Sequence, residues 1–215
     1  MTTPLIVYLS GIDGTGKTSI ASWIVKSQTE LGRRPIIVKC GANIRFFTLP
    51  FYLLGKWLKL MPNNLSRKRV HTARYPHIHQ SNSLSKMFCL AVLADTIIVD
   101  LVRVRIPTHL GRTVISDRHV LDVLVELMIA TGDPETHKSC IGRQLLKLMQ
   151  NENVFLIDIL EDIAYRRKDD VPSLDYLRSR RQYYLKLSQD ICFIKVINGD
   201  RPVEEIVKEI MHSIR

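Results

Sequence analysis

The segment Gly11-Ile12-Asp13-Gly14-Thr15-Gly16-Lys17-Thr18 follows directly on the apolar run Leu5 to Leu9 and opens an amphipathic stretch, Lys17 to Leu31. GxxxxGK(S/T) between a β-branched strand and a helix is the spacing of a phosphate-binding loop. It restricts the chain to folds in which a buried strand delivers a helix amino end to an anion. The glycines allow successive backbone amides to form an anion nest, and the helix adds its positive end. Lys17 supplies a mobile charge for the β and γ phosphates, and the Thr18 hydroxyl can take one place on Mg²⁺, a hard cation that prefers oxygen. A user of a nucleoside triphosphate is expected, with Gly11 to Thr18 as the binding loop.

Composition fits one soluble domain spanning residues 1–215. With 46% hydrophobic and 24% charged residues, the chain can bury a sizeable core without disulfides. Cys40, Cys89, Cys140 and Cys192 are scattered with no CxxC pair, so neither a zinc site nor a secreted framework is expected. Reduced thiols in a cytoplasmic protein are. The start lacks the basic n-region of a signal peptide, and the greasiest stretch, Met87 to Val102, is broken by Asp95 and Asp100. No membrane span is expected.

The net charge of +10 is unevenly placed. Leu31 to Ala94 holds no Asp or Glu but eleven Lys and Arg, so the rest of the chain is nearly neutral. Such a block binds nucleic acid, an anionic membrane or a phosphorylated substrate, or is a solvated basic face. Its core, Met61 to Ser83, is polar, basic and bracketed by prolines, and it reads as irregular. His71, His77 and His79 lie there without paired carboxylates or cysteines, which suits a loop better than a metal cluster. The aromatic run Phe46, Phe47, Phe51, Tyr52 and Trp57 has helical spacing, which suits core packing or a dimer face.

Apolar strands alternate with helical patterns, the signature of a parallel α/β sheet flanked by helices. Strands are predicted at 5–10, 35–39, 113–116, 153–158 and 192–197. Helices are predicted at 17–31, 47–60, 84–106, 119–130, 135–151, 162–167, 173–189 and 202–214. Ligands of such sheets sit beyond the carboxyl ends of the strands. Asp117-Arg118-His119 follows the third strand there: the acid can hold Mg²⁺, and the arginine can reach a phosphate. Asp158 is the competing acid, one that can equally begin a turn or cap a helix. Arg166-Arg167-Lys168, ahead of Pro172 and Ser173, reads as a lid over about 165–173 that excludes water during transfer.

With these elements in place the chain resembles the thymidylate kinase family of nucleoside monophosphate kinases, through GIDGTGKT at 11–18, VISDRH at 114–119, AYRRKDD at 164–170 and VINGDRPVEEI at 196–206. The resemblance implies a three-layer P-loop kinase fold with a five-stranded parallel sheet and a short lid, acting as a homodimer. It implies ATP- and Mg²⁺-dependent conversion of dTMP to dTDP. The implied catalytic residues are Lys17, Asp117, Arg118, Arg166 and Arg167, with Thr18 and Asp117 on the metal. Gly14 follows Asp13 where other members place an arginine, which implies that the lid arginines supply transition-state charge. Asp13, Arg45, Arg118 and Asp122 are the candidate acceptor contacts, in an insert at about 41–83 and around the sheet.

The departures concern that acceptor. Thr96 follows Ala94-Asp95 where the family usually has a phosphate-gripping arginine, leaving Arg74 or Arg103 as replacements. Val120 to Glu126 lacks the family's usual base-facing residues. A kinase of a hydroxyl acceptor is the alternative, with Asp122 or Glu126 as general base. A nucleic-acid-associated ATPase is the other, though no NKxD motif occurs and no glutamate follows Asp117 or Asp158. Nucleic acid is therefore not the expected partner.

Overall fold

The computed structural model describes residues 4–40, 46–57, 82–168 and 170–214, and elements are numbered among these. Three strands, β1 (Ile6–Ser10), β3 (Thr113–Asp117) and β4 (Asn153–Asp158), are nearly continuous runs of buried residues. Strands covered on both faces have no solvent side on which to alternate. By contrast β2 (Pro35–Lys39) and β5 (Ile194–Asn198) are partly exposed. They are the edges of one all-parallel sheet of order β2-β3-β1-β4-β5. Pro35, which cannot donate to a ladder, opens an edge strand, where that loss is tolerated.

Parallel pairing requires crossover helices. On one face Val7, Leu9, Ile115, Phe155 and Ile157 pack with Ile20 and Ile24 of α1 (Lys17–Glu30) and Ile206 and Ile210 of α9 (Val203–Ser213). On the other, Ile6, Tyr8, Val114 and Leu156 pack under α3 (Asn82–Asp100), α5 (Val120–Thr131), α6 (Cys140–Lys147) and α8 (Leu174–Asp190). The helices α2 (Thr48–Trp57), α4 (Ile106–His109) and α7 (Glu161–Arg166) complete the described set. Helices thus cover both faces of a five-stranded parallel sheet. The chain leaves β1 toward one face but β3 and β4 toward the other. The crevice this opens lies beyond Ser10, Asp117 and Asp158.

Two predicted helices differ. The one expected at 84–106 begins at Asn82 and passes through a π-helical turn, Leu101–Arg105, into α4. Pro107 is the physical reason: it has no N–H and its ring collides with the carbonyl four residues back, which a widened turn relieves. The helix expected at 135–151 splits into a 3₁₀ turn, Thr136–Lys138, and α6. Ser139 breaks it, extended in backbone and capping α6 by accepting from Gly142 N at 3.0 Å. Other boundaries shift by a residue or two, and residues 58–60 of the predicted second helix lie outside the described set.

No helix among the described residues is long and apolar enough to cross a membrane. Cys40 and Cys89 are buried, and Cys140 and Cys192 are exposed. Arg45, Arg74, His71, His77, His79 and most of the basic segment lie outside the described residues.

Candidate functional site

The loop after β1 turns through three left-handed glycines, Gly11, Gly14 and Gly16, at φ 146°, 91° and 82°. A Cβ on Gly11 would fall 2.4 Å from the Ile157 carbonyl oxygen, and one on Gly14 would fall 2.3 Å from that of Ala164. Only glycine lets this backbone press against β4 and α7. The loop ends at α1, whose N-cap Gly16 offers no side chain and whose first turn contains no acid. The first-turn amides of a helix have no intrahelical partner, so this end is free to receive an anion.

Lys17 is 5% exposed and folds back on its own loop, donating to the carbonyl oxygens of Gly11 (2.9 Å) and Ile12 (2.6 Å) and to Thr15 Oγ1 (2.9 Å). Burial pushes its ammonium down to about 8, helped by the like charge of Arg118 and opposed by Asp122, Asp13 and Asp117. Next to it Thr18 Oγ1 donates to Asp117 Oδ2 at 2.7 Å. Two neighbouring ligands of an octahedral Mg²⁺ stand about 2.9 Å apart at its usual bond lengths. The two oxygens therefore fit adjacent places on such an ion. Asp158 is differently engaged: Arg181 clamps it with two parallel bonds, Nε to Oδ1 at 2.7 Å and Nη2 to Oδ2 at 2.9 Å.

Arg118 is the one non-glycine among the described residues with positive φ, at 72°. A left-handed arginine costs about 1–2 kcal/mol, so its surroundings must hold it. They do so through His119, which is 1% exposed. Its ring lies 4.6 Å from that of Tyr8, Nε2 stands 3.3 Å from Asp100 Oδ1, and its backbone N–H donates to Asp122 Oδ2 at 3.1 Å. Tyr8 hydroxyl (3.2 Å) and Arg105 Nε (3.0 Å) donate to the same Asp100. Burial tends to raise the Asp100 carboxyl, but His119 and Arg105 beside it hold it below the usual carboxylate range. The π turn brings Arg105 back to Asp100 five residues earlier.

From this turn the Arg118 guanidinium reaches the Asp13 carboxylate and stands 3.6 Å from Asp122 Oδ1. Asp13 also accepts from Lys168 Nζ at 3.2 Å. Its partial burial favours the neutral acid, yet Arg118, Lys168 and Lys17 outweigh that and hold it ionised below its ordinary range. Asp122 accepts three hydrogen bonds, from Ser10 Oγ (2.8 Å) and Tyr184 hydroxyl (2.8 Å) besides His119 N–H. Burial, then Asp122, pushes the Tyr184 phenol far up, so it remains a donor.

The predicted residues separate accordingly. Lys17, Thr18, Asp13, Asp117, Arg118 and Asp122 converge at the carboxyl ends of β1 and β3. Arg166 is exposed at the end of α7, and Arg167 meets Asp200 at 3.0 Å. It is Lys168 that reaches the loop. Thr96 bonds to the Val92 carbonyl at 2.7 Å, and Asp95 accepts from the Phe47 and Thr48 amides at the start of α2. Arg103 donates to the Lys39 carbonyl at 3.1 Å.

Sequence reasoning overlooked Ser10, Tyr176, Arg180 and Tyr184. Buried Arg180 places Nη2 2.7 Å from Glu126 Oε1 and its guanidinium 4.4 Å from the Tyr176 ring. The signal was present: residues 176, 180 and 184 recur every fourth position, one face of a helix. Ser10 closes an otherwise apolar strand with a hydroxyl. No family model matches the chain, and no curated protein matches it.

Proposed function

We propose that the chain is a Mg²⁺-dependent phosphotransferase of the P-loop kinase fold that moves the γ-phosphoryl group of ATP to a nucleoside monophosphate, dTMP by its resemblance to thymidylate kinases. The observation that carries this is the Thr18–Asp117 pair at 2.7 Å, set beside buried Lys17 at the open amino end of α1. Together these provide a cation, an amide nest and two metal-facing oxygens around one polyphosphate. Thr18 and Asp117 would hold Mg²⁺, which on binding neutralises β and γ oxygens.

The chain's own residues do the rest. Lys17 leaves the loop carbonyls for the β and γ phosphates, regaining a fully charged state as it gains anionic partners. Arg118, pre-bent by its left-handed backbone, draws the acceptor phosphate toward the donor, and Asp13 fixes its guanidinium. An acceptor phosphate oxygen then attacks the γ phosphorus as the bond to the β-bridging oxygen breaks, giving ADP and a nucleoside diphosphate. No strong base is needed, because the nucleophile is already anionic. That suits the site, where Asp122 already accepts three hydrogen bonds and Glu126 is paired with Arg180. Lys168 supplies transition-state charge from the lid, joined by Arg166 and Arg167 on closure. The proposal includes a cytoplasmic homodimer.

The test is turnover of a panel of nucleoside monophosphates and nucleosides with ATP and Mg²⁺, wild type against Asp117→Asn. Phosphorylation of at least one monophosphate, lost in the variant, is expected. Turnover of nucleosides alone, or of nothing by well-folded protein, overturns it.

A further inference from the structure

Asp190 is the last residue of α8, where the helix's own carbonyls already concentrate negative charge. A carboxylate there is unfavourable unless a cation compensates. Beside it, on the turn between α5 and α6, stand Glu135 and His137. One ligand atom from each of the three residues lies within 4.8 Å of the other two.

His137 is the second observation. It is 3% exposed, its Nε2 stands 2.9 Å from Asp190 Oδ2 without the direction of a hydrogen bond, and its Nδ1 has no hydrogen-bond partner among the described residues. Buried polar atoms in native proteins have partners, and one without calls for a ligand. The turn that carries it is rigid. Thr136 Oγ1 donates to the Asp133 carbonyl at 2.7 Å, and Glu135 N donates to Asp133 Oδ1 at 2.8 Å. Gly142 packs so tightly beneath that a Cβ there would fall 2.6 Å from His137 Cα.

Two ammonium groups currently balance the two carboxylates. Lys138 Nζ lies 2.5 Å from Glu135 Oε2, and Lys186 Nζ lies 2.6 Å from Glu135 Oε1 and 3.3 Å from Asp190 Oδ2. Their combined charge equals that of one divalent cation. Both are long side chains, Lys138 exposed and Lys186 half-buried, whose ammonium groups can swing into water.

We propose that Glu135, His137 and Asp190 form a divalent metal site suited to Zn²⁺, in which the ion replaces the two lysine ammonium groups. One imidazole nitrogen with two carboxylate oxygens is a borderline donor set that Zn²⁺ accepts, and three protein ligands leave the fourth position to water. Tetrahedral ligands stand about 3.3 Å apart at zinc bond lengths, so the mobile carboxylates close on the fixed imidazole. The ion joins the carboxyl end of α8 to the α5–α6 turn, roughly 20 Å along the helix from Tyr176. This inference is independent of the proposed activity.

The test is calorimetric titration of ZnCl₂ into metal-free full-length protein carrying Cys140→Ser and Cys192→Ser, which removes the exposed thiols. One equivalent is expected to bind. Asp190→Asn, at a solvent-facing ligand, weakens binding about tenfold or more, whereas the double variant Lys138→Met/Lys186→Met tightens it by about tenfold, because the competing cations are gone. A Co²⁺-loaded sample gives a spectrum free of thiolate charge transfer. Absence of zinc binding, or equal affinity in all three proteins, overturns the proposal.

Discussion

Replacing Lys17 with Met isolates the cost of burying an ammonium group under the candidate phosphate loop. The folded protein gives up this proton at about pH 8 instead of 10.5, chiefly because burial strips the charge of water and secondly because Arg118 repels it. That difference of about 2.5 units corresponds to ~3 kcal/mol. Below pH 8 the residue is charged in both states, and the folded protein bears the whole penalty. Between pH 8 and 10.5 the unfolded chain retains more of this proton than the folded one, so stability rises with pH across that window. Carbonyls of Gly11 and Ile12 lose a donor in the variant, but this offset does not titrate. Urea unfolding of both proteins from pH 7.5 to 10.5 therefore shows wild type gaining about 3 kcal/mol relative to Lys17→Met. The same proton governs ligand binding: wild-type affinity for a triphosphate falls by up to about tenfold per pH unit above 8. A stability difference that is flat, or that falls with pH, refutes the burial argument.

Asp122→Ala strands the Ser10 and Tyr184 hydroxyls and the His119 amide in the core, and a loss of about 3–5 kcal/mol in urea unfolding is expected. The two strand-end acids part company under equilibrium binding: Asp117→Asn weakens Mg²⁺-dependent triphosphate affinity about tenfold or more. Arg181→Met, which unclamps Asp158, leaves that affinity unchanged while costing about 1 kcal/mol of stability.

The sheet was legible because its central strands are unbroken apolar runs, a pattern that a surface strand does not share. The turn from β1 into α1 was legible because Gly11, Gly14 and Gly16 stand where the backbone is left-handed. Pattern favoured Asp117 over Asp158, which can begin a turn or cap a helix, but the clamp on Asp158 was hidden because Arg181 lies 23 residues beyond it in sequence. The lid was read as a basic cluster, but which cation meets Asp13 depends on where α7 ends. It ends at Arg166, and Lys168 is the one placed against the loop. The π turn was hidden because only the neighbourhood of Pro107 hints at it. Burial hid Asp122: its sequence context marks a first-turn acid, while its hydrogen bonds need partners from β1 and α8.

Gly14 carries one mechanical corollary. With its backbone seated where any side chain would strike the Ala164 carbonyl, the loop is packed directly against α7. Lys168, two residues past the end of α7, meets Asp13, the residue before Gly14, so this one packing contact sets both ends of that ion pair. A side chain at position 14 would wedge α7 off the loop and part Lys168 from Asp13.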